Sequence, residues 1–214
     1  LQEGNNCKTV VNTNKTADTY LKGISVQYSY AFWIKINDIQ SAWRSIFQTG
    51  GTGAYKTGET RSPGVWITPN LTAIHIRVST PNNWNDGKDI SAGKISLKKW
   101  MHICLTIAGK EMKYYINGVL KDINTLDIEP SPVGPSENIY INQLNSTGFE
   151  ISKLRVFDVK ITQNYIRNIL LHELPLDNRI FAKCIKQESS PYSRNSFEKC
   201  KHLEEKIPNI NDGI

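Results

Sequence analysis

The chain has 214 residues, of which 39% are apolar and 21% charged, and carries a formal net charge of +6 at pH 7. This length suits one β-sandwich domain, or one domain with a short appendage, and it excludes a multidomain machine. No segment approaches the roughly 18 consecutive apolar residues of a spanning helix, and no more than two Lys or Arg residues are adjacent. We therefore expect neither a membrane span nor a nucleic-acid-binding protein.

Apolar and polar residues alternate along most of the first 159 positions, which is typical of half-buried β-strands. Because short turns join these segments with no helix between them, the pattern predicts antiparallel sheets. A hairpin turn is expected at Pro69 and Asn70. The predicted strands are 26–37, 43–49, 64–68, 71–79, 100–108, 111–117, 119–121, 138–142 and 150–159.

Two long segments, residues 50–63 and 80–94, interrupt the strands and are predicted to be loops. Loops of this length are uncommon in a compact β domain unless they bind something. A single helical pattern follows the last strand, with Thr162 as its N-cap and an apolar face that includes Ile166 and Leu170. The pattern predicts one short amphipathic helix lying against the body.

Beyond this helix the sequence loses any sustained period, which predicts an extended tail. We therefore divide the chain into an N-terminal arm (1–19), a β domain (20–171) and a C-terminal extension (172–214). The tail is longer than a simple cap requires, and an assembly component would use such a segment to reach a neighbouring molecule.

Four cysteines make an even number, which permits one or two disulfides. Cys184 and Cys200 lie close together in the aperiodic tail, where a bridge would supply order, and we predict that they pair. Cys104 lies inside a predicted strand and is expected to be a small buried apolar residue. The pairing of Cys7 is left open.

Asn14, Asn70 and Asn145 each begin an Asn-x-Thr acceptor for N-glycosylation. Together with the predicted disulfide, these sites indicate a glycoprotein at an extracellular or surface-exposed location. The abundance of Asn and Ile is typical of AT-rich genomes, such as those of large DNA viruses, so a virion surface is one setting that fits.

The segment WMHICLTIAGKEMKYYINGVL, residues 100–120, joins a Trp-x-His strand, a Gly-containing turn and a Tyr-Ile-Asn-Gly strand. Flanked in order by YSYAFWIKI, IFQTG, NIYINQ and FEISKLRVFDVKITQNYIRNI, it resembles laminin G-like and pentraxin-like domains of the concanavalin A-like lectin/glucanase superfamily. The resemblance covers about residues 20–171 and implies an all-β jelly-roll sandwich of two antiparallel sheets. No cysteine near residues 31–34 can provide the pentraxin partner of Cys104.

In such a sandwich we expect Trp100 to fill the core between the two sheets. We expect His102 to be a hydrogen-bonded histidine at the edge of that core, because no Ser, Cys or Asp partner is arranged around it. Neither residue is predicted to carry chemistry.

The superfamily also contains glycoside hydrolases, which need two carboxylates held on one face. The Glu-x-Asp-x-x-Glu strand motif of its laminarinase-like members is missing from this sequence, so the chain is predicted not to be an enzyme. Calcium is the other property that the resemblance implies, and Asp86 and Asp89 in the predicted loop 80–94 are candidate ligands. We expect no other cofactor.

Glycan binding depends on planar aromatic rings that stack on sugar faces while amides and carboxylates bind the hydroxyls. Trp84 lies among Asn83, Asn85 and Asp86, and Tyr55 lies in the other long loop. The alternative for Trp84 is that it folds back to cap the sandwich.

We predict a non-catalytic recognition module that binds glycan through loops at one end or face. The alternative is a structural or assembly component, such as a virion surface or minor capsid protein, that binds protein partners through its tail.

Overall fold

The structure is a computed structural model that describes residues 27–51, 60–90, 95–131, 139–142, 144 and 146–173, and the backbone of 8–10. These residues form strands that alternate with short turns, followed by a helix. The strands are β1 Lys8–Val10, β2 Gln27–Ile36, β3 Arg44–Thr49, β4 Gly64–Ile67, β5 Ile74–Val78, β6 Asp86–Ile90, β7 Trp100–Ala108, β8 Glu111–Ile116, β9 Val119–Thr125, β10 Ile139–Ile141 and β11 Phe149–Phe157. The helix is α1 Gln163–Glu173.

The strands form two sheets, one of six strands in the order β1-β11-β2-β7-β8-β9 and one of five in the order β10-β3-β4-β5-β6. Neighbouring strands in both sheets are antiparallel. The predicted sandwich of two antiparallel sheets with one helix near its end is confirmed. No described helix is long and apolar enough to cross a membrane.

Alternate residues of each sheet face a shared core, as the period of two requires. From β2 the core receives Tyr30 and Phe32, whose rings contact Phe47 of β3 at centroid distances of 5.5 and 5.2 Å. All three side chains are at most 1% exposed. Burying a side chain of this size contributes on the order of 2 kcal/mol, so the facing inner rows dominate the stability of the sandwich.

The turn and helix signals of the sequence are confirmed. Asn117 and Gly118 both have positive φ, at 49° and 74°, as a two-residue hairpin turn requires. Thr162 caps α1, because its Oγ1 accepts a hydrogen bond from the Tyr165 amide at 3.2 Å. Ile166 of the helix then packs on the outer face of the six-stranded sheet, beside Cys104.

The prediction that residues 80–94 form a loop is wrong in part, since β6 occupies Asp86–Ile90 and pairs with β5. The strand predicted at 119–121 continues to Thr125. Within the predicted N-terminal arm, residues 8–10 form β1, which pairs with β11, and the domain boundaries stay predictions.

Two core predictions also need correction. Trp100 is half-buried on the outer side of β7, with the ammonium of Lys35 5.5 Å from its ring centroid, and therefore does not fill the core between the sheets. His102 is fully buried, but neither of its ring nitrogens has a hydrogen-bond partner among the described residues. Cys104 is a free and fully buried thiol, as expected for a small apolar residue.

Several predicted residues lie outside the part of the chain that the structure describes. They are Cys7, Cys184, Cys200, Tyr55, Asn14, Asn145 and all of residues 174–214. The predicted disulfide, the extended tail and its role in assembly therefore stay predictions. Asn70, the described acceptor asparagine, is exposed in the turn between β4 and β5.

Candidate functional site

The outer face of the five-stranded sheet carries two rows of side chains that cross the strands. Pairing of β3 with β4, β4 with β5 and β5 with β6 places Ser45, Trp66, His75 and Asp89 side by side. The parallel row consists of Tyr140, Gln48, Gly64, Arg77 and Gly87. The intervening residues of β4 and β5, such as Val65 and Ile76, face the core.

Trp66 lies flat on this face because its neighbour in the second row is a glycine. The indole of Trp66 covers Gly64, and a Cβ at Gly64 would overlap the ring. Trp66 is consequently only 1% exposed, although it points away from the sandwich core. It forms a fixed platform for the side chains that pack on it.

Arg61 lies between two tryptophan rings on this platform. Its guanidinium carbon is 4.6 Å from the ring centroid of Trp66 and 4.3 Å from that of Trp84, which is cation–π geometry. The Arg61 backbone exchanges hydrogen bonds with Ser79, donating to Oγ at 2.8 Å and accepting from the Ser79 amide at 2.7 Å. Nη1 of Arg61 also donates to Oδ1 of Asn85. These contacts hold Trp84 against the sheet by one face.

His75 extends the arrangement in the opposite direction. Its imidazole lies 5.8 Å from the ring of Trp66 and 4.8 Å from the ring of Trp43, in edge-to-face contacts. Trp43 precedes β3 and is 36% exposed. We call the series Trp43, His75, Trp66, Arg61 and Trp84 the aromatic ladder.

A carboxylate borders the aromatic ladder on the edge strand. Oδ1 of Asp89 is 2.8 Å from Nδ1 of His75 and 2.8 Å from Nη2 of Arg77. Burial and the nearby Arg77 outweigh Asp89 and lower the pKa of His75 to about 4, so the imidazole is neutral at pH 7. A neutral His75 donates from Nδ1 to Asp89, which leaves Nε2 as an acceptor. The Asp89 side chain is 41% exposed and can still accept from a ligand.

The structure brings some of the predicted site residues together. Trp84 and Asn85 belong to the ladder or contact it, and Oδ1 of Asn83 accepts a hydrogen bond from the Asn85 amide at 3.0 Å. Trp84 is half-buried on Arg61, so it is neither a free loop residue nor part of the sandwich core. Asp86 lies elsewhere, because it pairs with the inward-facing Val78.

The two candidate calcium ligands are not adjacent in the structure. Asp86 and Asp89 are three residues apart on β6, and successive side chains on a strand point to opposite faces. Asp89 is bound by His75 and Arg77, whereas Oδ1 of Asp86 accepts from the Gly87 amide at 2.8 Å. Among the described residues, no group of three or more His, Cys, Asp or Glu side chains is placed to hold a metal ion.

Sequence reasoning missed most of the aromatic ladder. Trp66 and His75 occupy outward positions of GVWI and IHIRV, so alternation was a usable signal for both. Trp43 and Arg61 lie outside the strands, and only the strand register brings them to the same face. The two described rows contain one carboxylate, Asp89, whereas hydrolysis of a glycosidic bond uses a pair.

Comparisons with known proteins agree with this architecture. A laminin G family model, described as the Concanavalin A-like lectin/glucanases superfamily, matches residues 9–167. The chain belongs to this superfamily. No curated protein sequence matches this chain.

Several solved structures share its fold. The receptor binding domain of botulinum neurotoxin C/D mosaic serotype has a TM-score of 0.54 and 18% identity, over 69% of this chain and 36% of that one. The botulinum neurotoxin serotype D ligand binding domain in complex with N-acetylneuraminic acid has a TM-score of 0.54 and 17% identity, over 78% and 40%. A structure described by the dependence of botulinum neurotoxin type C cell entry on two ganglioside molecules has a TM-score of 0.52 and 18% identity, over 70% and 36%. This concanavalin A-like chain spans less than half of each of these chains.

Proposed function

We propose that the protein is a non-catalytic carbohydrate-recognition domain, acting at an extracellular or otherwise exposed surface, with its glycan site on the aromatic ladder. One observation carries the proposal: Trp43 is partly exposed and touches His75, which binds the exposed carboxylate of Asp89. A planar ring beside a hydrogen-bond acceptor is the combination that a sugar ring with its hydroxyls requires.

The contacts around the ladder favour a preformed site. Trp43 packs against His75, and Trp84 packs against Arg61, so each ring has a fixed neighbour before a ligand arrives. A site that is already ordered loses little conformational entropy on binding. The neurotoxin structures named above include one with a bound sialic acid, which supports sugar recognition as a use of proteins that contain this fold.

The absence of a second carboxylate from the two described rows supports binding without hydrolysis. Calcium is also not required by the proposed site, because His75 and Arg77 already bind Asp89. We therefore expect a chelator such as EDTA to leave glycan affinity unchanged. A tenfold or larger loss of affinity in EDTA would instead indicate that a metal ion forms part of the site.

Glycan-microarray screening of the 214-residue protein, followed by calorimetric titration of the best ligand, tests the proposal. Trp43→Ala and Trp84→Ala should each weaken binding by about tenfold or more, which corresponds to about 1.4 kcal/mol. Trp100→Ala is the matched control, since this half-buried tryptophan lies on the outer face of the other sheet. Equal losses in all three variants, or no loss at Trp43 and Trp84, would contradict the proposal.

A further inference from the structure

The charged groups of the aromatic ladder are already engaged with one another. Arg77 pairs with Asp89 at 2.8 Å, and Arg61 is 3% exposed between two tryptophans while it donates to Asn85. Neither guanidinium is presented to solvent as a free cation. His75 adds no positive charge at neutral pH, because burial and Arg77 lower its pKa to about 4.

The loops next to Trp43 offer no free cation either. The segment 37–43 has the sequence NDIQSAW, and the turn after β4, residues 68–73, has the sequence TPNLTA. The carboxylate of Asp38 is bound by Arg44 at 3.0 Å, and the Arg44 side chain is only 1% exposed. An amide-to-carbonyl hydrogen bond from Asn70 to Gln40, 2.7 Å long, joins the two loops. Their exposed surface therefore holds amides, hydroxyls, apolar side chains and the Asp38 carboxylate, which is 52% exposed and does not favour an anionic ligand.

Among the residues that the structure describes, the remaining nearby cation points away from the ladder. Lys88 neighbours Asp89 on β6 but pairs in register with Ile76, a core residue, on the opposite face. Its ammonium binds Asp122 of β9 at 3.0 Å, which bridges the edges of the two sheets. Among the described groups, the exposed charge on the ladder side of β6 is consequently the carboxylate of Asp89.

We infer that the aromatic ladder takes an uncharged glycan and discriminates against sialylated and sulfated ones. This inference rests on the proposed function and deepens it. A neutral sugar that stacks on Trp43 can donate a hydroxyl to Asp89 in a charge-assisted hydrogen bond. An anionic sugar in the same place meets that carboxylate, and none of the described arginines near it is free to compensate, so like charges at short range disfavour the complex. The carboxylate of Asp89 thus attracts the hydroxyl of a neutral sugar and repels an anionic sugar.

The test compares matched glycans that differ only by a terminal sialic acid or a sulfate, on a microarray and then by calorimetry. Wild type should bind the neutral member at least tenfold more tightly. Its affinity should change less than about twofold between roughly 50 and 500 mM NaCl, since no charge pair forms with the ligand. Asp89→Asn should weaken neutral binding and raise binding of the anionic member, because it removes the carboxylate and frees Arg77. Asp122→Asn is the matched control, since this carboxylate binds Lys88 away from the ladder.

The outcomes separate the two claims. Tighter binding of sialylated or sulfated glycans, lost in Trp43→Ala, would overturn the inference while leaving a glycan site on the ladder. Unchanged discrimination in Asp89→Asn would also overturn it. Binding that is indifferent to Trp43→Ala and Trp84→Ala would overturn the proposed function and the inference together.

Discussion

Replacing His102 by phenylalanine should stabilise the protein, and more strongly in acid than at neutral pH. His102 is fully buried on the outer face of the six-stranded sheet, where its ring contacts Trp33 edge-to-face at 5.4 Å. Its backbone is satisfied by Asn117, since the His102 amide donates to Oδ1 at 2.9 Å and its carbonyl accepts from the Asn117 amide at 2.8 Å. The two ring nitrogens, in contrast, have no partner among the described residues. Leaving a buried polar group unpaired costs about 1–3 kcal/mol.

The acid dependence follows from the titration of the same ring. Burial, with a smaller contribution from Arg155, lowers the pKa of His102 to about 3, against about 6.5 in an unfolded chain. Between these values only the unfolded chain binds the proton, so the protein is most stable above about pH 6.5 and loses stability as the pH falls toward 3. At pH 5 the loss from His102 is about 2 kcal/mol, at about 1.36 kcal/mol per pH unit. His75, with its pKa lowered to about 4, has the same sign in this window.

Urea unfolding of wild type and His102→Phe, followed by tryptophan fluorescence, measures both effects. We expect the variant to gain about 1–2 kcal/mol at neutral pH, and about 2 kcal/mol more than that at pH 5. Ile103→Val is the control, because removing a methyl from the neighbouring core residue costs about 1 kcal/mol at every pH without changing the slope. A variant that is destabilised at neutral pH and keeps the wild-type acid dependence would show that the His102 nitrogens are paired.

Two further predictions concern the aromatic ladder. Gly64→Ala should push the Trp66 ring off the sheet, lowering the free energy of unfolding by about 1–3 kcal/mol and weakening glycan binding, and wild-type values in thermal unfolding and calorimetry would refute the packing of Trp66 on Gly64. Glycan affinity should be constant between about pH 6 and 8, because the lowered pKa of His75 keeps its ring neutral throughout this range, and a tenfold change in titrations across it would show that His75 ionises there.

The strands that sequence reasoning found are those with an apolar face, and the ones it missed lack such a face. β6 reads DGKDI, where one residue, Ile90, enters the core. Charged side chains suit an exposed edge strand because they discourage pairing with another molecule, and they also erase the alternating pattern. β1 is three residues long and is fixed by its pairing with β11, about 145 positions away, so local periodicity carries no information about it.

The sequence predicted a residue of the candidate site only where that residue differs from its immediate neighbours in the chain. Trp84 stands out as an aromatic residue in a polar segment, and the structure places it at one end of the aromatic ladder. Trp43 and Arg61 gain their meaning from contacts with β5 and β4, which depend on strand order and register. The prediction for Trp100 was wrong because a tryptophan at the start of a strand suggests the core, whereas alternation along β7 turns this side chain outward.

The outer faces of the two sheets are covered by different kinds of structure, and this difference favours the five-stranded sheet as the ligand-binding one. On the six-stranded sheet, α1 packs over Cys104 and Phe157, so part of that face is a second apolar core. On the five-stranded sheet, the cover is made by individual side chains, with Arg61 buried between Trp66 and Trp84. Withdrawing a guanidinium from water is costly unless its partners compensate, so these contacts must be well ordered for the arrangement to persist. The burial of Arg61 thus fixes Trp84 in place and at the same time removes a cation that an anionic ligand would need.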